Sequence, residues 1–137
     1  ASNWFKNTYY AFIQNPQKEK IKEGIIGITK RMKSSFIKRA EEVEIIKQHM
    51  ADCTYPIIVC GDFNDTPLSY AYNSIKGDLS DAFSISGKGI GDSFVKIPAL
   101  RIDYILHDNE LKSSNYQKHK QVLSDHYAVS CEIEIGN

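Results

Sequence analysis

The sequence is poor in cysteine, and its cysteines indicate neither a disulfide framework nor a zinc site. Cys53, Cys60 and Cys131 are odd in number and contain no Cys-x-x-Cys spacing. Cys60 and Cys131 fall within patterns that predict strands, so we expect both to be small, buried structural thiols.

Long hydrophobic runs and an excess of one charge sign are also absent. The apolar runs are far too short to cross a membrane, and no signal peptide is visible. The chain opens on Ala1-Ser2-Asn3, and we expect it to be a fragment of a longer protein. Seventeen basic residues balance seventeen acidic ones, so the whole chain predicts no broad surface for duplex DNA, although a local patch stays open.

Two well-known phosphate- and metal-binding motifs are incomplete. The glycine-rich stretch Gly87–Gly91 lacks the Gly-Lys-Ser/Thr ending of a P-loop and precedes a predicted strand, Ser93–Ile97. It therefore predicts a mobile surface loop and not a nucleotide cradle. The stretch from Asp62 to Thr66 fails as a calcium loop, because the sixth position is Pro67 and the twelfth is Asn73.

What the chain does contain suits a single domain of 137 residues with 42% hydrophobic residues. Residues 1–24 are the least patterned part. There Thr8–Ile13 fits a strand or a helix that Asn15-Pro16 breaks, and Trp4 and Phe5 are expected to pack.

A helix is predicted from Ile25, because apolar residues recur there at intervals of three and four. The basic cluster Lys30–Arg39 on this helix suits a solvated face better than a phosphate backbone. The predicted apolar stripe consists of Ile25, Ile28, Met32, Phe36, Ala40, Val43, Ile46 and Met50.

The stretch Tyr55–Asn64 follows this helix and predicts a strand that ends in polar residues. The short apolar run Ile57–Cys60 predicts a strand that is buried on both faces. After it, Gly61 allows a close turn. Asp62 can accept a proton or hold a water or a metal, and Asn64 can offer an N–H to an anion. An Asx turn that merely closes the strand is the alternative interpretation.

Downstream, a short helix and two strands are predicted. Thr66-Pro67 predicts a helix N-cap before a helix that ends at Gly77, and Leu79–Phe83 is a further apolar segment. Arg101–His107 and Tyr127–Ile135 alternate as strands. Asp103 among apolar residues needs a partner, which could be Arg101 or a backbone amide.

Three short motifs follow one another at strand ends: Gly61-Asp62-Phe63-Asn64, Arg101-Ile102-Asp103-Tyr104 and Ser124-Asp125-His126. In this order, over about residues 25–136, they strongly resemble the endonuclease/exonuclease/phosphatase superfamily, which includes DNase I-like nucleases, sphingomyelinases and inositol polyphosphate phosphatases. The resemblance implies an α/β fold: the C-terminal half of a four-layer α/β sandwich, with a mixed sheet and flanking helices.

The resemblance also implies hydrolysis of a phosphate ester by an in-line water, with Mg²⁺ or Mn²⁺. Asp62 would then orient or deprotonate the water, and Asn64 would steady the scissile phosphate. His126 would bind phosphoryl oxygens, Asp103 would fix its tautomer, and Asp125 would be a metal-site carboxylate. These residue types suit the chemistry, because Mg²⁺ prefers carboxylate oxygens and donors stabilise a phosphoryl transition state.

Members of the superfamily also carry an upstream metal-holding glutamate and a His-Leu motif, which have no counterpart before Asp62. We therefore expect a catalytically incomplete fragment that lacks the N-terminal half of its domain, binds Mg²⁺ weakly and can self-associate. The expected substrate is a nucleic acid, a phospholipid or a small phosphodiester. Inositol phosphates are disfavoured, because those phosphatases share Cys-Asp-Arg where this chain has Arg101-Ile102-Asp103. A non-catalytic binding or scaffold module that retains the fold is the alternative.

Overall fold

The structure, a computed structural model, describes residues 16–136, so Thr8–Ile13, Trp4 and Phe5 lie outside the described residues. The chain divides into two compact units, one up to Arg39 and one from Ala40. Within the described range, no helix combines the length and apolar character that a membrane span requires. The elements are α1 (Pro16–Ala51), β1 (Ile58–Asp62), α2 (Tyr70–Lys76), β2 (Ser80–Asp81), α3 (Ala82–Ser86), β3 (Asp103–His107), β4 (Lys112–Lys118) and β5 (Val129–Glu134).

Helix α1 begins at Pro16, whereas the apolar pattern predicted a start at Ile25. Proline suits the first helical position, because its φ is already helical and its missing N–H would have no partner there. Among the stripe residues whose side chains the structure describes, Val43 near the C-terminal end is buried, whereas Ile25 and Phe36 are 58% and 50% exposed. Amphipathic spacing therefore did not by itself predict which turns of the helix would be covered.

Strands β1, β3 and β2 form an antiparallel sheet in that order, with β3 in the centre. The prediction that the Ile57–Cys60 strand is buried on both faces is wrong: β1 is an edge strand in the described structure, and one of its faces is exposed. Val59 packs towards the core, while Ile58 and Cys60 are exposed. Cys60 is therefore not the buried thiol that we expected, and Cys131 is only partly buried.

Strands β4 and β5 form a second antiparallel pair. The alternation predicted for β5 is confirmed, since Val129, Cys131 and Ile133 face the core and the residues between them are exposed. Strand β4 was not predicted, because a register shift between Ser114 and Gln117 interrupts its period of two.

Two apolar clusters lie on opposite faces of β3. Tyr104 and Leu106 belong to the first cluster and Ile105 to the second, as alternation along a strand requires. The first cluster contains Val43, Ala71, Tyr72, Ile75, Leu79, Tyr104 and Leu106, and the second contains Ala82, Ile105 and Tyr116.

Arg101 and Asp81 form a buried ion pair beside these clusters. The Arg101 guanidinium lies 2.7 Å from Oδ2 of Asp81, and both side chains are less than a tenth exposed. The Tyr72 hydroxyl donates to the same oxygen at 2.7 Å, while Oδ1 of Asp81 caps α3 by accepting from the Phe83 N–H. Arg101 is thus paired with Asp81 and is not the partner of Asp103.

The N-terminus of α2 differs from the prediction. Ser69, not Thr66, is the N-cap, and its hydroxyl accepts from the Tyr72 N–H at 3.1 Å. The Thr66 carbonyl instead accepts from the Ser69 N–H, which closes a turn before the helix. Gly77 ends the helix as predicted, with φ 42°.

The residues after the glycine-rich segment also differ from the prediction. The predicted strand Ser93–Ile97 is absent: among the described strands none covers it, and only Phe94 makes an isolated bridge, to His126. Both Ser93 and Phe94 donate their N–H groups to the Leu100 carbonyl, which folds the segment back on itself. In the glycine-rich segment, Lys88, Gly89 and Ile90 are exposed, as predicted for a surface loop, whereas Gly91 is buried.

Candidate active site

Two carboxylates face each other where β1 ends and β3 begins. Asp62 is the last residue of β1, Asp103 is the first of β3, and the antiparallel register pairs them directly. Directly opposed residues project from the same face of a sheet. The sheet therefore brings together two acids that lie far apart in the sequence.

The two oxygens of the Asp62 carboxylate have different neighbours. Oδ1 accepts a 2.7 Å hydrogen bond from the backbone N–H of Asn64, which closes an Asx turn. Oδ2 lies 3.9 Å from Nε2 of His126. Asn64 has a left-handed backbone with φ 50°, which asparagine tolerates well, and its side chain is exposed. The Asx turn is thus present, and it leaves one oxygen of Asp62 near the histidine.

His126 is held from three sides. Its backbone N–H donates to the Ser124 hydroxyl at 3.0 Å, and its ring meets that of Phe94 edge-on, with centroids 5.3 Å apart. Nδ1 lies 2.9 Å from Oδ2 of Asp103. Because the carboxylate accepts from Nδ1–H, the other ring nitrogen, Nε2, is the one left near Asp62.

The surrounding carboxylates raise the pKa of His126 above its ordinary value. The hydrogen bond with Asp103 is the largest cause, partial burial acts in the opposite direction, and the negative charges of Asp103, Asp62 and Asp125 add to the rise. A charged imidazole donates from both nitrogens, so Nε2–H is available to an anionic oxygen.

Asp125 lies outside this three-residue cluster. Its carboxylate is 3.7 Å from Nζ of Lys96, and both side chains are more than half exposed. The Asp125 carbonyl accepts from the Val95 N–H, which fixes the backbone beside His126. The metal role predicted for Asp125 stays a prediction.

Asp62, Asp103 and His126 each offer a ligand atom, and these atoms lie within 4.8 Å of one another. Mg²⁺ is commonly held in proteins by one or two carboxylates together with waters and substrate phosphates. The two aspartates therefore suit a divalent cation, whereas His126, whose pKa is raised, suits an anionic ligand better.

Two supporting residues were missed by the sequence analysis. The buried Ser93 hydroxyl accepts from the N–H groups of Ile102 and Asp103 at 3.0 and 3.1 Å, so it fixes the start of β3. The Tyr104 hydroxyl lies 2.8 Å from the carbonyls of Asp65 and Arg101, which ties the turn after β1 to β3. Tyr104 belongs to the Arg-Ile-Asp-Tyr motif, so the sequence pointed to its segment. No motif pointed to Ser93.

The fold and the site together define an α/β protein with a carboxylate–histidine cluster at the end of a sheet. The sequence profile of the Endonuclease/Exonuclease/phosphatase family matches residues 32–126. The chain belongs to this family, as its three motifs predicted.

Solved structures that are similar to this chain include the following three. A mannosyl-6-phosphatase of Bacteroides thetaiotaomicron is 20% identical, with a TM-score of 0.56 over 71% of this chain and 46% of that chain. An endonuclease/exonuclease/phosphatase family protein of the same organism is 21% identical, with a TM-score of 0.58 over 72% and 45%. A functionally unknown conserved protein of Enterococcus faecalis is 17% identical, with a TM-score of 0.58 over 70% and 44%.

At these identities the similarity shows the fold alone, and it confirms the predicted α/β class. The chain spans less than half the length of each of these structures. No curated protein sequence matches it. Family membership supports a phosphoesterase-type function, since the family generally hydrolyses phosphate esters and depends on a divalent metal.

Proposed function

We propose that this chain carries the C-terminal half of a Mg²⁺-dependent phosphodiester hydrolase, of nuclease-like or phospholipid type. The observation that supports this most directly is the array in which His126 lies between two carboxylates. Asp103 is 2.9 Å from Nδ1 and Asp62 is 3.9 Å from Nε2. The array combines a cationic donor with a carboxylate base, which in-line attack on a phosphate requires.

Each side chain has a role that follows from its surroundings. Asp103 orients the imidazole and favours its charged form, so Nε2–H of His126 donates to a phosphoryl oxygen as negative charge grows there. Asp62, whose Oδ2 is free of the Asx turn, orients or deprotonates the attacking water. The exposed amide of Asn64 donates to the scissile phosphate.

The carboxylates of Asp62 and Asp103, with Asp125, would hold the divalent cation, which is Mg²⁺ or Mn²⁺ in this proposal. A bound cation would neutralise charge on the phosphate. Its binding can be tested without activity: Mn²⁺ should broaden the NMR signals of Asp62, Asn64 and Asp103 in the chain. Asp62→Asn should weaken that broadening, whereas Asp52→Asn, at the end of α1, should not.

We also propose that an upstream half-domain completes this site, which would make the 137-residue chain poorly active alone. The relatives of known structure are more than twice as long as the part that this chain matches. A groove of about 740 Å³ between the C-terminal part of α1 and β1 offers an apolar surface for that half-domain. Its lining includes Ile45, Ile46, Met50, Ile57, Ile58 and Val59. Left uncovered, such a surface would favour self-association.

The test is hydrolysis of bis(p-nitrophenyl) phosphate with Mg²⁺, by this chain and by a protein that includes the upstream half. The longer protein should be active. Asp62→Asn should lower its rate about 10²–10⁴-fold, as expected for loss of a general base. Loss of the Nε2 donor in His126→Gln should cost about 10²–10³-fold. Asp52→Asn is the matched control and should leave the rate unchanged.

Three results would contradict parts of the proposal. Ordinary activity of the isolated chain would refute its incompleteness. Faster hydrolysis of p-nitrophenyl phosphate than of the diester would refute the diesterase assignment. An inert longer protein would favour the scaffold alternative.

A further inference from the structure

A second cavity, of about 190 Å³, is formed by residues outside the candidate active site. Its walls come from α3, the glycine-rich segment after α3, and the end of β4 with the residues that follow. The lining residues are Phe83, Lys88, Gly91, Tyr116, Lys118 and Lys120.

Two of the walls are fixed by close packing. Gly91 is buried with φ 75°, and a Cβ added there would lie 2.5 Å from Cζ of Phe83. The Phe83 ring in turn meets the Tyr116 ring edge-on, with centroids 5.3 Å apart and planes at 77°. These two walls are therefore fixed by packing within the unit that begins at Ala40, and the exposed Lys88 and Lys120 lie at their rim.

The charges around the cavity are mostly positive. Nζ of Lys118 lies 2.7 Å from Oδ1 of Asp92 and 4.8 Å from the centre of the Tyr127 ring, so its position is fixed and its charge is matched. Lys88 and Lys120 have no ion-pair partner among residues 16–136. Two cations at a concave, partly apolar surface attract an anion more strongly than the same charges on an open surface.

We propose that this cavity is an anion subsite that takes a phosphate group. A chain segment links it to the candidate active site: Gly91 lines the cavity, and Phe94, three residues later, contacts His126. Three residues span at most about 11 Å. A phosphate in the cavity is thus either free phosphate or a second phosphate of the substrate, and the second assignment rests on the proposed function.

The first experiment uses inorganic phosphate and the metal-free chain in EDTA at constant ionic strength. Because Nε2–H of His126 can also attract an anion, binding in the cavity is followed through the amides beside it. Amide NMR signals of Gly89, Gly91 and Lys118 should shift saturably. The double variant Lys88→Ala/Lys120→Ala should weaken binding about tenfold, since it removes both unmatched charges.

The matched control is Lys112→Ala, an exposed lysine on β4 that does not line the cavity, and it should not change the affinity. His126→Gln should not change it either, although it should lower the rate of hydrolysis in the longer protein about 10²–10³-fold. This separates failure of the subsite from failure of the proposed function. Unsaturable shifts, or shifts that the double lysine variant leaves unchanged, would overturn the subsite.

The second experiment distinguishes the two sources of phosphate. Alkanediol bisphosphates of increasing length are titrated against an alkyl monophosphate, with Mg²⁺ present. If one substrate occupies both sites, a bisphosphate of matching length should bind more tightly than the monophosphate, because linked groups bind together. Both the double lysine variant and His126→Gln should remove that gain. Equal affinities at every length would overturn the second-phosphate assignment and leave free phosphate as the ligand.

Discussion

Nδ1 of His126 lies 2.9 Å from Oδ2 of Asp103, and this contact joins the segment before β5 to the first residue of β3. The residue opposite Asp103 in the sheet is Asp62, whose Oδ2 lies 3.9 Å from the other nitrogen of the same ring. The imidazole therefore lies between two carboxylates supplied by neighbouring strands.

Replacing Asp103 should lower the pKa of His126. Its hydrogen bond is the largest cause of the raised value, so Asp103→Asn should lower this pKa more than Asp62→Asn or Asp125→Asn does. The measurement is an NMR titration of the His126 ring signals. Asp78→Asn is the control, because Asp78 is exposed and is not among the charges that affect His126. A larger effect from Asp62→Asn would contradict this ranking.

The raised pKa of His126 also predicts a dependence of stability on pH. The folded protein binds the proton more tightly than the unfolded chain. The extra stability is therefore fully present below the unfolded pKa, about 6.5, and is lost as the pH rises through the folded value. The free energy of unfolding in urea should be compared between the native chain and His126→Gln across this range. Their difference should shrink with rising pH, and a difference that grew would show the sign to be wrong.

Breaking the Arg101–Asp81 pair should be among the most destabilising single changes. Asp81 is 1% exposed, and Arg101→Ala would leave its carboxylate buried without its cation, at a cost of about 3–5 kcal/mol in the free energy of unfolding. Arg101→Lys should cost less, since it keeps the charge but loses the planar contact with Phe83 and Tyr104, each 4.7 Å away. Urea denaturation measures both.

The control for this pair is Lys96→Ala, because Lys96 forms an ion pair whose side chains are 70% and 53% exposed. An exposed pair contributes about 0–1 kcal/mol. If Arg101→Ala cost no more than Lys96→Ala, the buried pair would not have the importance that its geometry suggests.

Gly91 and Gly89 offer a matched pair of alanine substitutions. Both have left-handed backbone, with φ 75° and 77°, so either alanine should cost about 1–2 kcal/mol from backbone strain. Only at Gly91 would the new Cβ also overlap the Phe83 ring, which should add roughly 1–3 kcal/mol. Thermal or urea unfolding gives both values, and Phe83→Ala should reduce the difference. Equal costs would mean that the ring moves aside freely.

The three motifs could be recognised in the sequence because each lies at the end of a strand or next to one. The alternation of Arg101–His107 and Tyr127–Ile135 predicted β3 and β5, and within both strands the faces are as expected. Ile135, which was expected to face inwards, lies beyond β5 and is exposed. Strand β4 could not be predicted in the same way, because its bulge breaks the alternation. Cys60 is exposed because its face of β1 is not covered in the described structure, and the strand's own composition does not encode which face is covered.

The sequence by itself determined the family and the alternation of the later strands, since these depend on local order and side-chain chemistry. Only the tertiary structure decided that Asp103 pairs with His126 while Arg101 pairs with Asp81. It also decided that Lys88 and Lys120 line one cavity. The physical reason is that a partner is chosen by distance in the folded chain, and strand pairing brings together groups that local sequence does not relate.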